Sequence, residues 1–321
     1  MLNNKLKCAV IGVENMGLNH ARVFFEMADA ELVAVSDINQ NTADEAAKRF
    51  STIGYSDYTK MINEKKPDIV SVCVPTFLHR QVAEYCLEQK INVLLEKPIA
   101  MNLKDAEFLL EKAKQSGVKF LVGHIERHNP AIKKVKEIID RGELGNVINI
   151  IARRVGGFPP QIKDANIAVD LAIHDIDIVN YLLGEVPMEV SVDKKRNHIE
   201  KREDSVAFFL KYKNASAFIQ SNWITPVKIR KLNITGSEGY LEMDYIEQTV
   251  EFYKSNYEKF KESFSDYSDY ILKFSKADKI TIDLGKKEPL KEELSYFVNC
   301  VANDVVIDSS FAMEALKIAL K

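Results

Sequence analysis

No apolar run in the sequence approaches the roughly 20 residues that a helix needs to cross a bilayer, so no membrane span is expected. The start, MLNNKLKCAVIG, lacks the charged, apolar and small-residue sections of a cleaved leader and enters a strand-like run almost at once. A surplus of positive charge is missing too. With 44 Lys and Arg against 47 Asp and Glu, the formal net charge is −3, whereas a general nucleic-acid surface needs excess cations to displace counterions. A small-molecule partner is expected instead. Cysteine is sparse and scattered: Cys8, Cys73, Cys86 and Cys300 form no CxxC pair, which argues against a zinc site and a disulfide framework and for reduced thiols in a cytoplasmic protein. The sequence has no internal repeat and no low-complexity tract.

What is there reads as an ordinary globular chain. Its 321 residues exceed the usual size of a single core, and 46% apolar with 28% charged residues is an average composition, so two packed domains are expected. The first 123 residues alternate short apolar runs at 6–11, 32–36, 69–74, 93–95 and 120–122 with helical patterns at 16–27, 43–50, 78–89 and 103–115. Unalternated strands separated by helices predict a doubly wound parallel sheet of the Rossmann kind, which binds ligands at the carboxyl ends of its strands. Beyond Gly123 the pattern changes. A helix in NPAIKKVKEIIDRGELG is followed by strand-like stretches at 147–153, 205–210, 217–223, 229–235 and 240–243, with one helix at 169–183. This predicts an α+β domain, 124–321, with a largely antiparallel sheet layered on that helix. The stretch 251–287 carries no assignable pattern, and two amphipathic helices, at 290–302 and 311–320, close the chain, in this domain or packed back on the first.

Directly after the first strand comes Gly12-Val13-Glu14-Asn15-Met16-Gly17, opening a helix. In a dinucleotide site the first glycine allows the tight turn, the second lets backbone amides approach the pyrophosphate, and the third permits close helix packing. Here Glu14 replaces the second glycine. The motif alone therefore fits a plain strand-turn-helix junction as well as it fits a cofactor loop. Asp37 tips the balance: it ends the second strand, 20 residues after Gly17 (37 − 17), where a carboxylate can accept hydrogen bonds from ribose hydroxyls and would repel a 2′-phosphate. No arginine follows closely. NAD is expected rather than NADP, with Gly12, Val13, Asn15, Met16, Gly17 and Asp37 at the cofactor.

Two later strands end in Pro75-Thr76-Phe77-Leu78-His79 and Glu96-Lys97-Pro98. Pro98 biases Lys97 toward extended backbone. Farther on, Asp170-Leu171-Ala172-Ile173-His174-Asp175-Ile176-Asp177 places Asp170 and His174 four residues apart, on one helix face, so that a carboxylate and an imidazole can converge on one ligand. A metal is disfavoured because no second His or Cys supports the carboxylates. The alternative is a polar helix start with Asp170 near its N-cap.

In order and spacing, the glycine motif, Asp37, PTFLH, EKP, GHIERHNP and DLAIHDID resemble the glucose-fructose oxidoreductase/inositol dehydrogenase (Gfo/Idh/MocA) family along essentially the whole chain. The resemblance implies that Lys97, Asp170 and His174 are the catalytic set. It also implies that Thr76, His79, Glu96, Lys97 and Asn129 line the cofactor, and that the second domain is an open sheet serving substrate and homodimer or homotetramer contacts. Two segments, GHIERHNPAIKKVKEII and GGFPPQIKDANIAVDLAIHDIDIVNYLLG, are similar to the branch of UDP-N-acetylglucosamine 3-dehydrogenases. That narrower likeness implies oxidation of a C3 hydroxyl to a ketone and a functional link to a PLP aminotransferase. A diphosphate would need cations, for which Arg153, Arg154 and Lys163 are the candidates, their alternative being ordinary surface charge. Two other functions stay open: a dehydrogenase of a free sugar or polyol such as an inositol, and a silent regulator that senses dinucleotide or sugar, for which Glu14 speaks and the retained Lys97, Asp170 and His174 do not.

Overall fold

The computed structural model describes residues 5–158, 166–198, 202–255 and 278–321. They form two compact units, Met1–His128 with Glu288–Leu320, and Asn129–Lys287.

The first unit is built on a parallel six-stranded sheet, β1 (Leu6–Ile11), β2 (Ala30–Ser36), β3 (Gly54–Tyr55), β4 (Ile69–Val72), β5 (Asn92–Glu96) and β6 (Phe120–Gly123), in the order β3-β2-β1-β4-β5-β6. Every residue of β4 and β6 is buried, as apolar runs without alternation require when helices cover both faces. Those helices are α1 (Asn15–Glu26), α2 (Gln40–Arg49), α3 (Tyr58–Lys65), α4 (His79–Glu88) and α5 (Leu103–Ser116). Their starts are written locally: Asn39, Asp57 and Asn102 each accept a backbone N–H of the helix they open, satisfying donors that have no partner within the helix. β3 and α3 were not evident from the sequence, being two and eight residues long. Strand order reverses between β1 and β4, which opens a crevice at their carboxyl ends.

The expected boundary at Gly123 is displaced. The first unit runs on to His128 and takes back the terminal helices α8 (Pro289–Ala302) and α9 (Ser310–Ala319). The cause is packing: Leu290, Leu294, Phe297 and Val298 of the eighth helix share one buried core with Val23 and Phe24 of α1 and with Leu94 of β5. Complete burial of side chains this large contributes about 1.5–3 kcal/mol each, which outweighs chain distance.

The second unit carries α6 (Pro130–Asp140), β7 (Val147–Gly157), a π turn (Ala168–Ala172), α7 (Ile173–Leu183) and seven further strands. They are β8 (Glu189–Lys195), β9 (Ser205–Lys211), β10 (Ser216–Asn222), β11 (Ile224–Gly236), β12 (Gly239–Asp244), β13 (Thr249–Lys254) and β14 (Asp278–Ile282), in the order β14-β13-β12-β11-β7-β10-β9-β8. Only β7 and β10 pair in parallel; the other neighbours are antiparallel. Alternation sorts the faces: Ile150, Ala152, Phe208, Ile219, Leu232 and Ile234 are fully buried, whereas Ile151, Phe209 and Phe218 lie exposed. Register sets those last three side by side across β7, β10 and β9. The unassigned stretch 251–287 supplies part of β13 and all of β14, and its residues 256–277 lie outside the described ones. Among the described residues no helix is long and apolar enough to cross a membrane.

Candidate active site

The loop after β1 is as tight as its glycines suggested. Gly12 has φ +82°, and a Cβ there would lie 2.8 Å from the Cys73 carbonyl oxygen; a Cβ on Gly17 would lie 1.7 Å from the Gly12 oxygen. No side chain fits at either place. Asp37 reaches back to this loop, accepting the Val13 N–H through Oδ2 (3.1 Å) and the Asn39 N–H through Oδ1 (3.0 Å). Glu14, the departure from the glycine motif, is solvent-exposed, and no side chain among the described residues caps the start of α1. The first N–H groups of that helix, those of Asn15, Met16 and Gly17, therefore remain for an anion at the positive end of the helix dipole.

The loops after β4 and β5 are joined by His79. Its ring is buried, with Nδ1 2.8 Å from the Pro98 oxygen and Nε2 3.0 Å from the Val74 oxygen, and burial pulls its pKa below that of an ordinary imidazole. His79 thus supports the crevice loops rather than facing into them. Thr76, in the turn beside it, is half-buried. Lys97 is half-buried and its peptide bond to Pro98 is cis. Its N–H donates to Glu96 Oε2 (3.1 Å), and the other carboxylate oxygen lies 3.0 Å from His20 Nε2. Burial opposes charge on both members of this pair. It is overcome in His20 by the neighbouring Cys73 sulfur and the Glu96 carboxylate, which raise the imidazole well above its ordinary pKa, and in Glu96 by His20 and Lys97, which lower the carboxyl. An imidazolium–carboxylate pair results.

In the second unit Asp170 lies in the π turn and His174 one residue into α7, both half-buried. The helix expected over 169–183 is present, but its first part, Ala168–Ala172, winds as the π turn before α7 begins; Asn166 stands at its start, Oδ1 accepting the Val169 N–H (3.1 Å) and its carbonyl the Asp170 N–H (3.0 Å). Such wide turns recur at functional sites. Arg153 and Arg154, adjacent on β7, fall on opposite faces: Arg153 is exposed, while Arg154 is buried. Arg154 grips the buried Asp175 with two hydrogen bonds, Nε to Oδ2 (2.8 Å) and Nη2 to Oδ1 (3.0 Å), and stacks on Tyr245. Strand alternation thus prevents the two arginines from serving one anion together, and Asp175 neutralises the inner one. Asn129 caps α6 through Oδ1, on the Ala131 N–H, and donates Nδ2 to the Tyr245 oxygen, so both ends of its amide are engaged within this unit. Lys163 lies outside the described residues.

Comparison with known proteins agrees with this geometry. Residues 6–124 match the oxidoreductase family of NAD-binding Rossmann fold called Gfo/Idh/MocA, and residues 132–242 match the C-terminal domain of the same family. The chain belongs to the Gfo/Idh/MocA family.

As a member it is an NAD-dependent dehydrogenase, and the cradle around Gly12 and Gly17, the uncapped start of α1 and Asp37 fit that cofactor. A UDP-N-acetylglucosamine 3-dehydrogenase of Acidithiobacillus ferrooxidans is 24% identical over 297 residues, covering 92% of this chain and 89% of that protein. Its solved structure matches with a TM-score of 0.85 over 99% of this chain and 96% of the other. A myo-inositol 2-dehydrogenase of Thermotoga maritima is 28% identical over 259 residues, 76% of this chain and 77% of that one. Two participants escaped the sequence reading. His20 stands one helical turn beyond Gly17, a spacing that faces it toward the sheet, and Asp175 neighbours His174 yet points to Arg154.

Proposed function

We propose that this dehydrogenase oxidises a sugar hydroxyl to a ketone, and that its substrate is UDP-N-acetylglucosamine, oxidised at C3. The observation that carries this is the likeness to a UDP-N-acetylglucosamine 3-dehydrogenase over nine-tenths of both chains, together with retention of Lys97, Asp170 and His174. Bound NAD supplies the hydride acceptor. Gly12, Val13, Asn15, Met16, Gly17 and Asp37 would hold its adenosine and pyrophosphate end, with Thr76, Glu96 and Lys97 nearer the reacting carbon. Lys97, as ammonium, polarises the substrate oxygen. His174 accepts the hydroxyl proton, a task suited to a group that titrates near neutrality. Asp170, four residues earlier, orients the imidazole.

A free polyol, such as an inositol, is the second reading, favoured by the 28% identity to an inositol dehydrogenase and by the Asp175 carboxylate that already neutralises Arg154. Calorimetry with UDP alone separates the two: micromolar binding that competes with the substrate supports the nucleotide sugar, and no binding favours the polyol. A 3-keto product would feed a PLP aminotransferase. The row Ile151, Phe209 and Phe218 on the outer sheet face suits a second copy of the chain in a homodimer or homotetramer, and buried Cys8, Cys86 and Cys300 suit the cytoplasm.

A further inference from the structure

The first unit buries one more charge-bearing group beside its crevice. Glu293, on α8, is fully buried, and among the described residues neither carboxyl oxygen has a hydrogen-bond partner. A lone carboxylate in such a place costs several kcal/mol in desolvation, so the group stays protonated. Burial is the largest cause, the Glu96 charge adds to it, and His20 only partly offsets it, which together raise the Glu293 pKa well above the carboxylate range. The charges that face it are thus His20 from α1 and Glu96 from β5. The turn packed on its helix carries Glu126, Arg127 and His128, with His124 just before it, and Arg22 of α1 pairs with Glu288 at the helix start.

The cluster reads as a chain of contacts ending at the EKP lysine. Ser71 Oγ lies 2.6 Å from His20 Nδ1, His20 Nε2 lies 3.0 Å from Glu96 Oε1, and Glu96 Oε2 receives the Lys97 N–H. As imidazolium, His20 donates through both ring nitrogens, and Ser71 Oγ also contacts Cys73 Sγ, 3.7 Å away. Gly123 leaves the room for Glu96, since a Cβ there would meet Oε1 at 3.3 Å. One positive group, one negative group and one neutral acid make the cluster neutral overall. Ionisation of Glu293 would place a second negative charge against Glu96 and compete for His20.

We propose that His20 and Glu293 are positioning residues for Lys97, acting through Glu96: His20 fixes the carboxylate that holds the Lys97 peptide, and the buried Glu293 acid keeps that carboxylate the sole anion of the cluster. This rests on the role given to Lys97 above. Helix α8 thereby becomes part of the catalytic architecture, in addition to its part in the core.

Three variants and one spectrum test it. His20→Ala should lower kcat roughly tenfold or more, as loss of groups that orient a reactive residue does, with KM for the sugar and NAD affinity within about twofold. His20→Gln, which can still donate to Glu96, should recover part of the loss. Glu293→Gln, a neutral acid mimic, should shift the alkaline limb of the kcat profile to higher pH. Wild-type kcat in folded, NAD-binding His20→Ala, or an unmoved alkaline limb in Glu293→Gln, overturns the proposal. Should Glu293→Gln fail to fold, difference infrared spectra of the wild type decide: a protonated carboxylic acid band persisting at pH 8 is required, and its absence refutes the buried acid. If Lys97→Met keeps full turnover, the assigned role of Lys97 fails instead; if Lys97→Met is inactive while His20→Ala is normal, only the positioning proposal fails.

Discussion

Lys97 leaves a buried parallel strand with its own N–H tied to the preceding carboxylate, whereas His174 stands in the first turn of α7, directly after a π turn, on a helix laid on a largely antiparallel sheet. The first arrangement is fixed by register: once β1, β4 and β5 pair in parallel, the residues after their last buried positions all emerge at one edge. The second depends on which face each residue takes, and there neighbours in sequence part company. Arg153 and Arg154 show this on β7, as Asp175 and His174 do on α7, where Asp175 turns inward to the arginine and His174 stays half-exposed. Chain adjacency is thus a poor guide to shared function in the second unit and a good one in the first.

That contrast is open to direct attack. The largest effects are expected at the reacting groups: Lys97→Met and His174→Asn should each lower kcat by about 10²- to 10⁴-fold, with NAD binding retained in the histidine variant, read by single-turnover kinetics. Activity kept in either would break the symmetry of roles assigned to the two units. Next comes the arginine pair. Arg154→Met leaves Asp175 buried without its cation and should cost about 3–5 kcal/mol in urea unfolding, most of it restored by Arg154→Met with Asp175→Leu. Arg153→Ala, a surface change, should stay within about 0.5 kcal/mol; equal costs at both positions would contradict their opposite placement.

Smaller effects sharpen the picture. Asp37→Ala removes a carboxylate from the cofactor loop and should weaken NAD binding about tenfold, near 1.4 kcal/mol, while narrowing the preference over NADP, both measurable by calorimetry. Unchanged affinity would confine Asp37 to its two backbone contacts. Stability should also slope with pH. His20 and Glu293 both have folded pKa values raised above their unfolded ones, so the stability they confer is complete below the unfolded values, about 6.5 and 4.3, and is lost as pH rises through the folded ones. Glu96, lowered, works the other way, losing its contribution on acidification below about pH 4.3. Unfolding free energy should therefore decline from pH 5 toward pH 9, by up to about 1.4 kcal/mol per pH unit for each proton held, and Glu293→Gln should flatten it.

The Rossmann half was legible because its signals are local. Apolar runs without alternation, a tight glycine turn and an acidic residue at a strand end each carry their own physical reason, and β1 falls at Leu6–Ile11 as the pattern predicts. β3 was missed because two residues carry no period, and the return of α8 to the first unit stood as one of two alternatives because an amphipathic helix does not say which core its apolar face joins. The site was legible as a set of residue types more than as an arrangement. Asp37 and Lys97 stand where strand ends put them, but His79 and Asn129 spend their polar atoms on neighbouring backbone, and the π turn at Ala168–Ala172 has no sequence period that announces it. His20, Glu293 and Asp175 were not singled out, because buried charge is recognised only when its partners are known.

The central claim, that this dehydrogenase acts on a nucleotide sugar, is tested most directly by following NADH formation from NAD with UDP-N-acetylglucosamine and, in parallel, with myo-inositol, a PLP aminotransferase and glutamate being added to draw off the ketone. The account predicts NADH with the UDP-sugar and none with the inositol. Turnover of myo-inositol alone, with NAD binding intact, would contradict it and assign the enzyme to free polyols.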